Sequence, residues 1–341
     1  MLFFESDYNM GAHPKIIQRL VDTNFEKLSG YGNDPYCQSA INKIKNACNC
    51  PSADIHFLMG GTQTNKVVIG TMLNRHEGVI SAKTGHINIH EAGAIESTGH
   101  KILEVPSHDG KIIVKELSGY LETFYNDDNR DHMVFPGMVY ISHPTEYGTL
   151  YSKNELGQIS AICSKYKMSL YMDGARLGYA LMSKQADLSL SDIAKFCDIF
   201  YIGGTKIGTL CGEALVFTKN NTPRHFTTLV KQHGALLAKL RLIGIQFDTL
   251  FDDNLYFKIS ENAIKMSEKL KNILKNKGYK FYMETPTNQQ FIILGNDLIE
   301  KLGQKVTFSF WEKYDESHTV VRFATSWATT EKDIKLLDEI L

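Results

Sequence analysis

The stretch Phe200-Tyr201-Ile202-Gly203-Gly204-Thr205-Lys206 carries the most information about this chain. An apolar run of strand length gives way to two glycines, and a lysine follows at once. Lysines are rarely buried without a partner. A lysine held in apolar surroundings loses basicity and becomes a nucleophile toward aldehydes. One that snorkels to solvent does neither, and from this stretch alone both readings stand.

Upstream, Leu170-Tyr171-Met172-Asp173-Gly174-Ala175-Arg176 repeats the form with an acid at the strand end. Asp173 precedes Lys206 by 33 residues, enough for intervening elements between two strands of one sheet. Similar apolar runs occur at 55–59, 78–81, 102–105, 139–142 and 214–217, with helical spacing at 62 onward, 87–97 and 155–166. Strands alternating with helices predict an α/β fold with a mostly parallel seven-stranded sheet covered on both faces. Nearer the N-terminus, helices are expected over 14–28 and 38–47, joined by the turn-rich segment 29–35. Beyond Thr222 long helical segments run to about residue 278. Strands at 280–283, 290–294, 307–311 and 320–324 then alternate with helices at 297–302 and 331–341. The expected division is a large domain over 1–250, with an N-terminal arm, and a small α+β C-terminal domain over 251–341.

Ligands of open α/β sheets gather at the carboxyl ends of the strands. Two more polar segments fall there. Gly60-Gly61-Thr62 lies between a strand and a helix, where free N–H groups and the helix dipole favour a phosphate; a tight turn is the plainer alternative. His86, in Thr84-Gly85-His86-Ile87, follows another strand and could stack on a planar ring or exchange protons near neutral pH, although a lone histidine is more often structural. Asp173 could serve as a helix N-cap, or could pair with a protonated ring nitrogen and so keep an electron sink charged. A phosphate cup, His86, Asp173 and Lys206, in that order and each at a strand end, are what a pyridoxal-phosphate site requires.

Ser6-Asp7, Tyr31-Gly32-Asn33-Asp34-Pro35, Gly60-Gly61-Thr62-Gln63-Thr64-Asn65, His86 to Glu91, Asp173-Gly174-Ala175-Arg176 and Gly203-Gly204-Thr205-Lys206 together resemble the low-specificity L-threonine aldolase family. That family has the aspartate-aminotransferase-like fold (pyridoxal-phosphate fold type I) and sits in the beta-eliminating lyase group. The resemblance implies that Lys206 forms the Schiff base with pyridoxal 5'-phosphate, Asp173 holds the pyridine nitrogen, His86 stacks on the ring and takes part in catalysis, and Gly61 and Thr62 hold the phosphate. Ser6, Arg176 and Arg322 match positions that grip the substrate carboxylate, with Arg176 also beside the cofactor; a guanidinium fork suits a carboxylate. His143 is a candidate base, and His90 stands where many members have tyrosine. Tyr31, Lys231 and Lys239 are candidates for residues lent to a neighbouring subunit, which implies a homotetramer built as a dimer of dimers. The implied reaction is retro-aldol cleavage of L-threonine, L-allo-threonine and related β-hydroxy-α-amino acids to glycine and an aldehyde. A β-eliminating lyase or aminotransferase of the same fold, and a non-catalytic pyridoxal-phosphate-binding protein, are the alternatives.

Composition agrees with a globular protein: 341 residues, 43% hydrophobic and 22% charged, with a formal net charge of −1. No basic field is available for nucleic acid or an anionic membrane surface. The start, Met1-Leu2-Phe3-Phe4-Glu5, lacks the pattern of a secretory leader. No apolar run approaches the roughly 20 residues of a membrane helix. The six cysteines show no CxxC pair. They are expected as reduced thiols of a cytoplasmic protein rather than as a disulfide framework. Cys48 and Cys50 lack a second ligand pair at zinc spacing, so no metal is expected.

Overall fold

The computed structural model describes residues 1–341. Seven strands form the central sheet: β1 (Asp54–Leu58), β2 (Glu77–Ala82), β3 (Ile102–Val105), β4 (Phe135–Ser142), β5 (Ser169–Asp173), β6 (Ile199–Gly203) and β7 (Glu213–Phe217). Their order is β1-β7-β6-β5-β4-β2-β3. The run from β3 to β6 is parallel, and β7 is antiparallel to both β6 and β1. Every residue of β6 and β7 is buried, because a strand covered on both faces needs apolar side chains on each. In β6, Phe200 and Ile202 enter one hydrophobic cluster while Ile199 and Tyr201 enter another on the opposite face, the period of two that a strand imposes.

Glycine sets how the strand ends meet. A Cβ on Gly174 would overlap the Tyr201 carbonyl, and one on Gly203 would overlap the Ala175 carbonyl. The turns after β5 and β6 therefore lie backbone against backbone, which carries Asp173 and Lys206 to the same edge of the sheet.

A second, antiparallel sheet contains β8 (Lys280–Met283), β9 (Gln289–Gly295), β10 (Ser309–Lys313) and β11 (His318–Ala324), in the order β8-β9-β11-β10. The helix Leu255–Asn276 serves both cores. Leu255, Tyr256, Ile259 and Ala263 pack with the large sheet, and Met266, Leu270 and Leu274 with the small one. The N-terminal arm, grouped in sequence with the larger unit, lies on the smaller one: Leu2–Phe3 pairs in parallel with Val306–Thr307, and Phe4 is buried in the same small cluster.

Several expected elements differ. The helix expected over 87–97 is one turn, His86–Ile89, followed by a 3₁₀ turn, Glu96–Thr98; Ala92 and Gly93 between them have positive φ, which a helix does not allow. The first helix is Pro14–Asp22. Of its apolar residues only Ile16 is buried, while Ile17, Val21 and the following Phe25 face outward. The strand expected at 307–311 is divided into Val306–Thr307 and Ser309–Lys313. The helix Val114–Asn126 was not anticipated, although Leu117, Leu121 and Phe124 recur at helical spacing and are buried. No helix is long and apolar enough to cross a membrane.

Candidate active site

The carboxyl ends of β4, β5 and β6 open into a cavity of about 710 Å³, closed from the far side by β10 and Arg322 of β11. Lys206, Asp173, His86, Thr62, Arg176 and Arg322 all line it.

Lys206 follows the β6 turn. Glu213, directly across from Gly203 on β7, accepts the Gly204 N–H at 3.0 Å and the Thr205 hydroxyl at 2.8 Å. The Tyr179 hydroxyl donates to the Lys206 carbonyl. The backbone is thus fixed on both sides of the lysine. Burial, with the Arg176 guanidinium nearby, lowers the amine to about 8, against the opposing pull of Asp7, Asp173 and Glu213. An amine at 8 is available in its free form near neutral pH.

Asp173 ends β5 as a buried carboxylate. Burial alone would raise it, but His86 facing it and hydrogen bonds from Tyr201, Tyr140 and the Ala175 N–H hold it below the usual carboxylate range. Asn65 adds a donor at 3.0 Å, and the Tyr171 hydroxyl fixes that amide from behind at 2.7 Å. The charge needed opposite a ring nitrogen is therefore in place. His86 is half-buried at the start of its one-turn helix, with Nδ1 2.8 Å from Glu91 Oε1. Burial lowers its basicity, but the bond to Glu91 and the field of Asp173 outweigh that and raise it.

The third corner is the N-terminus of the helix Gly61–Met72. Its N-cap is Gly60, which brings no side-chain cap. The first N–H groups and the Thr62 hydroxyl are left for an anion at the cavity wall.

The two arginines are not alike. Arg176 is held by Asp7 through Nε–Oδ2 at 2.6 Å and Nη2–Oδ1 at 3.0 Å, and the pair holds Asp7 at about 2 despite its burial. Arg322 donates to Gln289 Oε1, the Glu5 carbonyl and Ser309 Oγ at 2.9–3.1 Å, and its guanidinium lies 5.6 Å from the centre of the Trp311 ring. Those acceptors are neutral. Arg322 keeps an uncompensated charge, and burial with the nearby Arg176 lowers it to about 10.

Other expected residues stand elsewhere. His143 is turned away from the cavity into the core beside Tyr151; its Nδ1 faces the Tyr151 N–H at 3.4 Å, and burial lowers it to about 4. A ring shut off from the cavity cannot serve there as a base, which corrects the expectation. Ser6 is buried and does not line the cavity; its neighbours Glu5 and Asp7 make the contacts to the arginines. Tyr31, Lys231 and Lys239 are exposed and away from this cavity, with Lys231 Nζ 5.3 Å from the centre of the Tyr31 ring. His90 lies at the rim, its ring 6.3 Å from that of Trp311.

Sequence reasoning overlooked Asp7 as the partner of Arg176, the tyrosine pair on Asp173, and Glu146, Glu213 and Trp311 in the wall. One signal was available: Asn65 stands one turn after Gly61 in a helix whose inward face is otherwise largely apolar, so a buried amide there needed a partner.

Comparison with known proteins agrees with this geometry. Residues 4–296 match the beta-eliminating lyase family. A threonine aldolase structure from Leishmania major superposes with a TM-score of 0.96 at 41% identity, covering 100% of this chain and 98% of that one. The low specificity L-threonine aldolase of Pseudomonas sp. (strain NCIMB 10558) is 26% identical over 98% of this chain and 95% of its own length. An aspartate aminotransferase variant from Thermus thermophilus shares the fold alone, with a TM-score of 0.71 at 11% identity over 100% of this chain and 90% of that one. By its matched length and its likeness to the Leishmania protein, the chain belongs to the beta-eliminating lyase family, among the threonine aldolases.

Proposed function

We propose that this enzyme cleaves L-threonine, L-allo-threonine and related β-hydroxy-α-amino acids to glycine and an aldehyde, with pyridoxal 5'-phosphate as its cofactor. The observation that carries the proposal is the meeting of Lys206, an ionised Asp173 and an uncompensated Arg322 in one cavity. The residues fit the cofactor. Lys206 would attach its aldehyde, Asp173 would hold its ring nitrogen, His86 would lie along the ring, and the uncapped start of Gly61–Met72 with Thr62 would hold its phosphate. When bound, pyridoxal phosphate supplies an electron sink for the charge left at Cα.

Arg322 orients the substrate by its carboxylate, since a buried guanidinium without an anion favours that ligand. Arg176, fixed by Asp7, contributes Nη1, which no protein group engages. With the carboxylate held by Arg322, the bond to be broken is set against the cofactor rather than left to rotate. The test is a panel of β-hydroxy amino acids offered to the cofactor-loaded protein, with glycine and aldehyde as the readout. Formation of pyruvate or another 2-oxo acid in place of glycine would favour β-elimination or transamination instead.

The same reading includes a cytoplasmic homotetramer. Its supports are the exposed apolar row Ile17, Val21 and Phe25, the exposed pair Tyr31 and Lys231, and six free cysteines, four of them buried.

A further inference from the structure

Four acidic side chains crowd the reacting end of the site, and three are already committed. Asp173 receives two donors on each oxygen. Glu213 is bound by the Gly204 N–H and the Thr205 hydroxyl. Glu91 binds Asn65 and His86 through Oε1; its Oε2 is also without a partner, but Glu91 stands behind His86 and does not line the cavity. Glu146 differs from all three. It is buried yet forms part of the cavity wall. Its Oε1 accepts the Ser142 hydroxyl at 2.6 Å and the His86 N–H at 3.0 Å, while Oε2 is buried with no partner. A buried carboxyl oxygen left unmatched costs desolvation free energy unless it holds a proton or meets a ligand.

The surroundings hold Glu146 in register with the rest of the site. Ser142 is also within 3.2 Å of the Tyr140 hydroxyl, which donates to Asp173. Gln289 reaches the Glu146 carbonyl at 3.5 Å with one end of its amide and accepts from Arg322 with the other. One frame therefore ties the carboxylate-binding arginine, the ring-nitrogen acid and Glu146 together.

We propose, on the aldolase reading above, that Glu146 is the catalytic residue that takes the proton of the substrate's β-hydroxyl. As the Cα–Cβ bond breaks, the β-oxygen passes its proton to the Glu146 carboxylate, and the O–H electron pair becomes the second bond of the aldehyde carbonyl. The electron pair of the broken bond stays with Cα, which then gains a proton to give glycine. The proton taken at Glu146 balances the one gained at Cα, so none is consumed overall. His86 is the other candidate, but its Nδ1 is engaged by Glu91 at 2.8 Å and its ring is the group set to lie along the cofactor. Burial raises Glu146, with Asp173 adding to the shift while Ser142 and His86 oppose it, and a carboxylate made more basic is a better acceptor for the hydroxyl proton.

The test is Glu146→Gln in the full-length protein loaded with pyridoxal phosphate. Cofactor binding should be unchanged. Threonine cleavage should fall by about 100-fold or more. Exchange of the glycine Cα hydrogen in deuterium oxide, which involves no β-hydroxyl, should stay within a few-fold of wild type. In the cofactor-free protein, the infrared difference between wild type and Glu146→Gln should show one titrating buried-carboxyl band, whereas the band of Glu213, which burial raises to about 8, should be common to both. Near-normal cleavage by Glu146→Gln would overturn the assignment, and so would an equal loss of cleavage and exchange. Glu146→Asp guards against misfolding: it should retain partial cleavage with a displaced acid limb of the kcat–pH profile, and normal cleavage with an unmoved limb would count against Glu146. A wild-type protein inert toward every β-hydroxy amino acid would defeat the aldolase reading itself, which is a different failure.

Discussion

Asp7 neutralises Arg176 through two hydrogen bonds of 2.6 and 3.0 Å, whereas Arg322, across the same cavity, meets no carboxylate. Two arginines that look equivalent in sequence thus differ in what they can offer a substrate. Arg322 brings a whole unpaired charge, while Arg176 brings one remaining nitrogen on a fork already fixed. On the proposed function, the dominant grip on the substrate carboxylate falls to Arg322.

Arg322→Ala should lower kcat/KM for threonine by about 30-fold or more, since truncating one side of a buried charge pair costs about 2–5 kcal/mol. Cofactor binding, followed by its absorbance, should be retained. Arg322→Lys should recover little, because an ammonium lacks the planar fork. Equal kinetics for Arg322→Ala and wild type would return Arg322 to a structural role.

Lys206 sets a pH dependence. Its amine lies at about 8 in the folded protein, below the usual 10.5. The protonated form is unreactive, so attachment of pyridoxal phosphate to the cofactor-free protein should accelerate as pH rises and reach half its limiting rate near pH 8. Stopped-flow absorbance measures this directly. A midpoint near 10 would show that burial does not tune the lysine. Borohydride should then fix the cofactor to the peptide that carries Lys206 and to no other.

Asp173→Asn keeps the size of the side chain and removes its charge. A hydrogen bond to a charged group contributes about 1.5–3 kcal/mol, so pyridoxal phosphate should bind roughly 10- to 150-fold more weakly. Cleavage should fall further than binding, because the electron sink depends on the protonated ring. Equilibrium dialysis and kcat, measured on the same preparation, separate the two effects.

Assembly has its own signature. Phe25, just past the end of the first helix, is 93% exposed, and Ile17 and Val21 are exposed on the helix that leads to it. Light scattering should give the mass of at least a dimer, and a tetramer on the full proposal. A charge placed at Val21 should shift the mass downward. An active wild-type monomer at assay concentration would contradict the proposed oligomer.

Much of this architecture is written locally. Strand ends bearing Asp173 and Lys206 are legible because an apolar run, a glycine turn and one polar residue recur at each, and the alternation with helices implies the parallel sheet. Contacts made across the chain are harder to see. Asp7 and Arg176 lie 169 residues apart, and nothing in either neighbourhood announces the pair. His143 misleads because its neighbours Ser142 and Pro144 do line the cavity while its own ring points into the core. The carboxyl group this segment brings to the cavity wall is that of Glu146, three positions on. The segment after His86 also misled: its apolar spacing suggested a helix through residue 97, but Ala92 and Gly93 turn the chain with positive φ.

Product analysis tests the central claim most directly. L-Threonine is given to the pyridoxal-phosphate-loaded protein, and glycine, acetaldehyde and 2-oxo acids are quantified together. The account predicts one glycine for each acetaldehyde, no 2-oxo acid, and neither product from Lys206→Ala. Release of 2-oxobutanoate without glycine, or undiminished cleavage by Lys206→Ala, would contradict it.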